Sequence, residues 1–161
     1  MRLIILLSLF LGFASNGIAE ELHLVVNGKA IHFGDGDYNE ENWGLGVEYA
    51  FNKPSDDWIK FASAGYFKDS SYNTSKHAGG GIKRRYRLDS DADGWFVDFG
   101  ATAFLMTRKD YKDNKPFFGA LPFMTVGNGP VALNITYIPS VSPKHEALVY
   151  FQAVIRLATF D

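Results

Sequence analysis

The sequence predicts an all-β chain, an eight-stranded antiparallel up-and-down β-barrel of the outer-membrane type. Three observations carry that expectation. Eight stretches alternate apolar and polar residues with period two. Most run ~10 to 12 residues, longer than the usual ~5 to 6 of soluble sheets and close to the ~9 to 11 that a tilted strand needs to cross a bilayer. The connections alternate between tight turns and mostly longer, more polar loops. Composition agrees. The chain has 161 residues with 16 basic and 18 acidic side chains, a net charge of −2, which fits a single domain and no basic arm for nucleic acid. With 47% hydrophobic residues it lies far from disordered composition, while a mean hydropathy of −0.09 is too low for a bundle of membrane helices. The absence of cysteine removes disulfides, zinc–thiolate sites, lipoprotein anchoring and thiol nucleophiles.

In chain order, Arg2 precedes an apolar stretch from Leu3 to Leu11, followed by small and polar residues ending in Gly17, Ile18 and Ala19. A charged start, a short apolar core and small residues at the cleavage positions predict a secretory signal peptide over 1–19, with one barrel domain over 20–161. No later segment approaches ~18 consecutive apolar residues, so a helical anchor is not expected. The predicted strands span 22–33, 43–52, 57–68, 77–87, 95–107, 117–126, 130–139 and 146–157. The eighth sets Ala147, Val149, Phe151, Ala153, Ile155 and Leu157 on one face against Tyr150, Gln152 and Arg156 on the other. The seventh sets Val131, Leu133, Ile135 and Tyr137 against Asn134 and Thr136. The fifth sets Trp95, Val97, Phe99, Ala101, Ala103 and Leu105 against Asp98 and Thr102. The tight turns 53–56, 89–94 and 127–129 fall at the periplasmic end together with both termini. The loops 34–42, 69–76, 108–116 and 140–145 fall outside. A soluble antiparallel barrel or sandwich is the competing fold on pattern alone.

In this topology His32 ends the first strand and Asp69 with Ser70 end the third, at the same outer rim. An imidazole can serve as base for a hydroxyl, and a carboxylate can orient it. Neighbouring residues on an extended strand face opposite sides, so Asp69 and Ser70 share a site only through a turn. A solvated loop with a capping aspartate is the alternative. Pro122 and Pro139 lie inside the sixth and seventh strand patterns, where a missing N–H removes a ladder bond and weakens a seam; strand ends are the plainer explanation. Asp89, Asp91, Asp93 and Gly94 start like a calcium loop, but position twelve is Gly100, so they are read as an aspartate-rich turn and no metal is expected.

The segments FKDS (Phe67 to Ser70), YNE followed by WG and G (Tyr38 to Gly46), AGGG (Ala78 to Gly81), LP (Leu121, Pro122) and VGNGP to TYIP (Val126 to Pro139) resemble the outer-membrane lipid A palmitoyltransferases called PagP. The resemblance runs from about residue 28 to the C-terminus. It implies a barrel with an interior acyl-chain pocket that moves a palmitoyl chain from a glycerophospholipid to lipid A. The family's catalytic residues fall on His32, Asp69 and Ser70, and a lateral gate for the lipid tail on Pro122 and Pro139. Gly81 falls at the pocket floor, and Arg108 resembles an arginine suited to lipid A phosphates. Phe96, Phe104 and Met106, on the lumen face of strand five, suit a hydrocarbon pocket, for which an eight-stranded barrel has room. The implied partners are a phospholipid donor, a lipid A or lipopolysaccharide acceptor and the outer membrane of a Gram-negative bacterium, with no cofactor, no nucleic acid and a monomeric barrel. Two other functions stay open: a phospholipase or lipid A deacylase using the same rim, and a non-catalytic structural or adhesion barrel in which the outer loops and not the rim residues matter. The sequence departs from the family in showing no amphipathic helix before the first strand and a shorter first outer loop.

Overall fold

A computed structural model describes residues 20–51, 57–91, 93–140 and 146–160. The expected leader, the 53–56 turn and His145 lie outside the described residues. Eight antiparallel strands form a closed barrel in sequence order: β1 (Glu20–His32), β2 (Glu41–Ala50), β3 (Trp58–Lys68), β4 (Thr74–Arg87), β5 (Trp95–Thr107), β6 (Phe117–Asn128), β7 (Val131–Ile138) and β8 (Leu148–Phe160). Closure runs from Glu20↔Phe160 at one end to His32↔Leu148 at the other, so Glu20 and Phe160 lie at the end opposite His32. No helix among the described residues is long and apolar enough to cross a membrane.

The expected faces hold. Phe99 and Leu105 of β5, Leu133 and Tyr137 of β7, and Leu157 of β8 are exposed, as are Leu45, Val47, Tyr66 and Ile82 on the neighbouring strands. Asp98, Thr125, Asn134 and Thr136 are buried inside. An apolar band of this extent, wrapped around a cylinder, is a surface for hydrocarbon and not for water. Strand ends shift by up to three residues from expectation, and two of the shifts bear on the outer rim. β4 begins at Thr74, because Asp69 folds the outer β3–β4 connection into a tight turn, and this loop is therefore short. Pro139 follows the end of β7 and lies outside the ladder, whereas Pro122 lies within β6.

The bore is layered. In the half that holds Glu20 and Phe160, charged side chains pair inside the lumen. Lys83 Nζ donates to Glu48 Oε1 at 2.8 Å, Arg85 makes two 2.9 Å bonds to Asp98, and Arg156 donates to Glu21 at 2.9 Å. Buried charges are tolerated when paired in this way. Above them Phe61 and Phe123 meet edge-to-face, their centroids 5.8 Å apart, with the Lys83 ammonium 5.4 Å from the Phe61 ring. Beyond this pair the outer half opens into a cavity of about 160 Å³.

Candidate active site at the outer rim

His32 is the last residue of β1, and Ser70 stands just past the end of β3, where the chain has already begun to turn. His32 Nε2 lies 2.9 Å from Ser70 Oγ. The imidazole is held from three sides. Tyr38 stacks on it almost face to face, at 4.3 Å and 13°. Glu40 Oε1 accepts the His32 backbone N–H at 3.3 Å and stands 3.9 Å from Nδ1. Nδ1 itself is buried and has no hydrogen-bond partner among the described residues.

Asp69 takes a different place from the one a triad would give it. Its Oδ1 accepts the backbone N–H groups of Ser71 at 3.0 Å and Asn73 at 2.9 Å, and its Oδ2 accepts the Ser75 hydroxyl at 2.7 Å. This aspartate closes the turn, as Asx turns do, and so presents Ser70; no hydrogen bond joins it to His32. The YNE segment then clasps the turn. Asn39 donates its backbone N–H to the Ser70 carbonyl at 2.9 Å and its side chain to the Asp69 carbonyl at 3.0 Å. Asn42 donates to the Lys68 carbonyl at 2.8 Å. The sequence contained these residues as a motif, with nothing in their spacing to tell which of them would touch the imidazole.

Arg108 lines the same cavity and fixes Asp110 through two bonds of 3.0 and 2.6 Å, while Ser71 Oγ donates to the same carboxylate at 3.1 Å. Burial alone would push the Asp110 carboxyl up, but the Arg108 fork and charge outweigh it and hold the group below its ordinary value.

The cavity below this rim is lined by Phe61, Phe67, Phe104, Met106, Leu121 and Phe123, with Thr136, Tyr150 and Gln152 on the β7–β8 wall. The polar ends on that wall are occupied: Tyr150 and Gln152 both donate to Asn27 Oδ1, at 2.8 and 2.7 Å. Phe104 and Met106 line this cavity. Phe96 does not. It faces the lumen but lies in the lower layer, with the Arg85 guanidinium 3.7 Å over its ring, and lines a separate small cavity. Gly81 does not border the upper cavity either: a Cβ there would fall 2.5 Å from the Phe61 ring and 2.4 Å from the Ala101 carbonyl. The glycine makes room for Phe61, and the Phe61–Phe123 pair forms the floor.

One flank of the barrel is thinly paired toward the mouth. β6 pairs with β5 as far as Met106↔Phe117, but with β7 only from Phe123↔Thr136 downward. Pro122, exposed on the outer face, sits one residue above the last β6–β7 pair. Pro139 follows β7 at the same end, so both prolines border the open stretch.

Among the described residues, no three His, Asp or Glu side chains are grouped to hold a metal. The Asp89 carboxylate instead caps its own turn, accepting the Asp91 and Trp95 N–H groups at 3.0 and 2.9 Å.

Residues 34–153 match the family model described as antimicrobial peptide resistance and lipid A acylation protein PagP. The segment takes in Asp69, Ser70 and Arg108, and His32 stands two residues before it. A curated relative, the lipid A acyltransferase PagP of Bordetella pertussis (strain Tohama I), is 31% identical over 114 residues, 71% of this chain and 60% of the relative. The protein of the same name from Cronobacter sakazakii is 33% identical over 102 residues, 63% of this chain and 52% of the relative. The matched region thus spans little more than half the length of these relatives. A solved structure, the attachment invasion locus protein Ail of Yersinia pestis, aligns over 89% of this chain and 99% of its own with a TM-score of 0.44 and 8% identity.

Proposed function

The chain belongs to the PagP family, and from that premise we propose that it is an outer-membrane acyltransferase, moving a palmitoyl chain from a glycerophospholipid to lipid A. The observation that carries this reading is the 2.9 Å approach of His32 Nε2 to Ser70 Oγ at the mouth of a bore whose outer half is open and largely apolar. The barrel sits in the outer membrane of a Gram-negative cell, its exposed band of Leu, Val, Phe and Tyr side chains against hydrocarbon.

A long acyl chain suits the depth. Eight residues of β3 separate Asp69 from Phe61, an axial drop of about 20 Å at ~3.3 Å per residue and a tilt of ~40°. An extended chain advances ~1.2 Å per bond, since a three-bond residue spans at most ~3.3 to 3.6 Å, so this depth takes about sixteen bonds. With the tail in the bore, the ester stands at the rim between His32 and Ser70. His32 Nε2 receives the proton of the attacking hydroxyl and returns it to the departing glycerol oxygen. Ser70 is either that hydroxyl, forming an acyl-enzyme, or a donor to the ester carbonyl while the lipid A hydroxyl attacks. Asp69 contributes through the turn that presents Ser70. Arg108 is assigned to a lipid A phosphate, which would compete with Asp110 for the guanidinium. The unpaired β6–β7 stretch beside Pro122 and Pro139 gives the tail a lateral way in from the membrane. The β1–β8 pairing closes the sheet, so neither terminal strand is left free to pair with another copy, and the barrel acts as a monomer.

Purified protein incubated in detergent micelles with labelled phospholipid and lipid A tests the reading. Acyl transfer that disappears in His32→Ala and Ser70→Ala supports it. Release of free fatty acid alone replaces it with a lipase or deacylase. No turnover, or full activity in both variants, removes the site.

A further inference from the structure

Transfer as proposed above leaves one requirement unmet. For Nε2 to accept a proton from a hydroxyl, the neutral imidazole must carry its hydrogen on Nδ1, and that N–H needs an acceptor once the ring becomes cationic. The Asp69 carboxylate is turned away, both of its oxygens committed to Ser71, Asn73 and Ser75. His32 Nδ1 is buried without a hydrogen-bond partner among the described residues, and the carboxylate oxygen beside it belongs to Glu40, at 3.9 Å.

We propose that Glu40 is the positioning residue for His32, accepting the Nδ1 hydrogen during the acyl step. Its side chain is 41% exposed while the His32 side chain is 4% exposed. The carboxylate can therefore move by the ångström or so that separates 3.9 Å from a charge-assisted bond, while the ring, clamped by Tyr38, stays in place. Glu40 is already tied to the same residue, accepting the His32 backbone N–H, and its carbonyl accepts the Ala30 N–H at 2.9 Å, so its backbone is fixed against β1. The proton balance closes without Glu40 changing state. The attacking hydroxyl loses its proton to Nε2, Nδ1–H donates to the ionised Glu40 throughout, and the proton on Nε2 leaves with the glycerol alkoxide as the acyl bond changes hands. Division of labour follows: Asp69 shapes the turn that carries Ser70, and Glu40 orients the base. The groups facing the imidazole are Ser70 from the β3–β4 turn, Tyr38 and Glu40 from the β1–β2 connection, and the Arg108 charge from beyond β5.

The inference rests on the transferase reading, and its test keeps the two apart. Full-length protein with Glu40→Gln, Glu40→Asp, Asp37→Asn and His32→Ala is assayed for acyl transfer between labelled phospholipid and lipid A across pH, with barrel folding followed by heat-modifiable gel mobility. Glu40→Gln is expected to lower kcat by roughly tenfold to a hundredfold with little change in KM. It also removes the negative charge that favours the imidazolium, so the acid limb of the profile should move to lower pH by about half a unit to one unit. Glu40→Asp should recover part of kcat, and the exposed neighbour change Asp37→Asn should match the parent. A folded Glu40→Gln barrel with parental kcat and an unmoved acid limb overturns the proposal while His32→Ala remains inactive. If His32→Ala is itself active, the rim assignment fails instead. Should Glu40→Gln not fold, a parental acid limb in Glu40→Asp, whose carboxylate is withdrawn by one methylene, counts against the proposal equally.

Discussion

Phe61→Ala is the sharpest probe of the bore, because it acts on the floor without touching the rim. The ring blocks the cavity about 20 Å below Asp69, and the next lumen-facing residue on β3 is Ile59, two positions lower and buried. Two residues at ~3.3 Å and a ~40° tilt lower the floor by about 5 Å, or roughly four carbon–carbon bonds. In the parent, a chain two carbons longer than the pocket leaves two methylenes unaccommodated. At ~0.8 kcal/mol each this amounts to ~1.6 kcal/mol, a discrimination of about fifteenfold. Phe61→Ala should erase most of that factor and let acyl chains up to about four carbons longer transfer. The opening is partly polar, because the Lys83 ammonium stands 5.4 Å from the ring, so the variant should broaden the preference and not simply move it. The assay is mass spectrometry of acylated lipid A after incubation with equimolar phospholipids carrying saturated chains of graded length. A folded Phe61→Ala barrel whose ratio of longer to shorter product stays within about twofold of the parent, well under the fifteenfold expected from methylene transfer, would refute the floor assignment.

Two further outcomes follow from the lower bore and the flank. Lys83→Met strands the buried Glu48 carboxylate and should cost about 3 to 5 kcal/mol in urea unfolding of the folded barrel, whereas the Lys83→Met, Glu48→Met double change should cost less because no lone charge remains; a single-variant loss below about 1 kcal/mol contradicts the pairing seen here. Pro122→Cys with Tyr137→Cys places two thiols on the outer face one step beyond the last β6–β7 pair, in a chain without other cysteines. Oxidation should suppress acyl transfer and reduction restore it, and oxidised protein working at the reduced rate would exclude this flank as the entry for the lipid tail.

How far the sequence carries depends on which coordinate is asked of it. Period two reports the face of a side chain, so the lipid-facing Phe99, Leu105, Leu133 and Leu157 and the lumenal Asp98, Asn134 and Gln152 were legible directly. Depth along the bore needs the strand's direction as well. Phe96 and Phe104 share a face of β5 but stand eight residues apart, about 20 Å along the axis, and only Phe104 reaches the upper cavity. What fills the space beside a glycine is not written locally: Gly81 is separated by twenty positions from Phe61, and only the Phe61↔Gly81 register brings them opposite. The rim shows the same limit. That His32 and Ser70 meet follows from topology, but whether a carboxylate serves the turn or the imidazole depends on a few torsions between Asp69 and Asn73.

The layered bore also explains how a barrel of this size can keep an open cavity at all. With hydrocarbon outside, the outward face gains nothing from burial that a lipid tail would not equally supply, so the strands are held by their ladder and by bonds among the lumenal side chains. In the periplasmic half that bracing is ionic: Lys83 on β4 reaches Glu48 on β2, while Arg85–Asp98 and Arg156–Glu21 join neighbouring strands. In the outer half it is sparse, and the space left over is the cavity. Concentrating the bracing at one end lets the other stay open without losing closure, and it places the least-paired part of the sheet, above Phe123 and Thr136, beside the cavity and the His32–Ser70 pair. A uniformly packed lumen would give a firmer barrel with no room for a substrate.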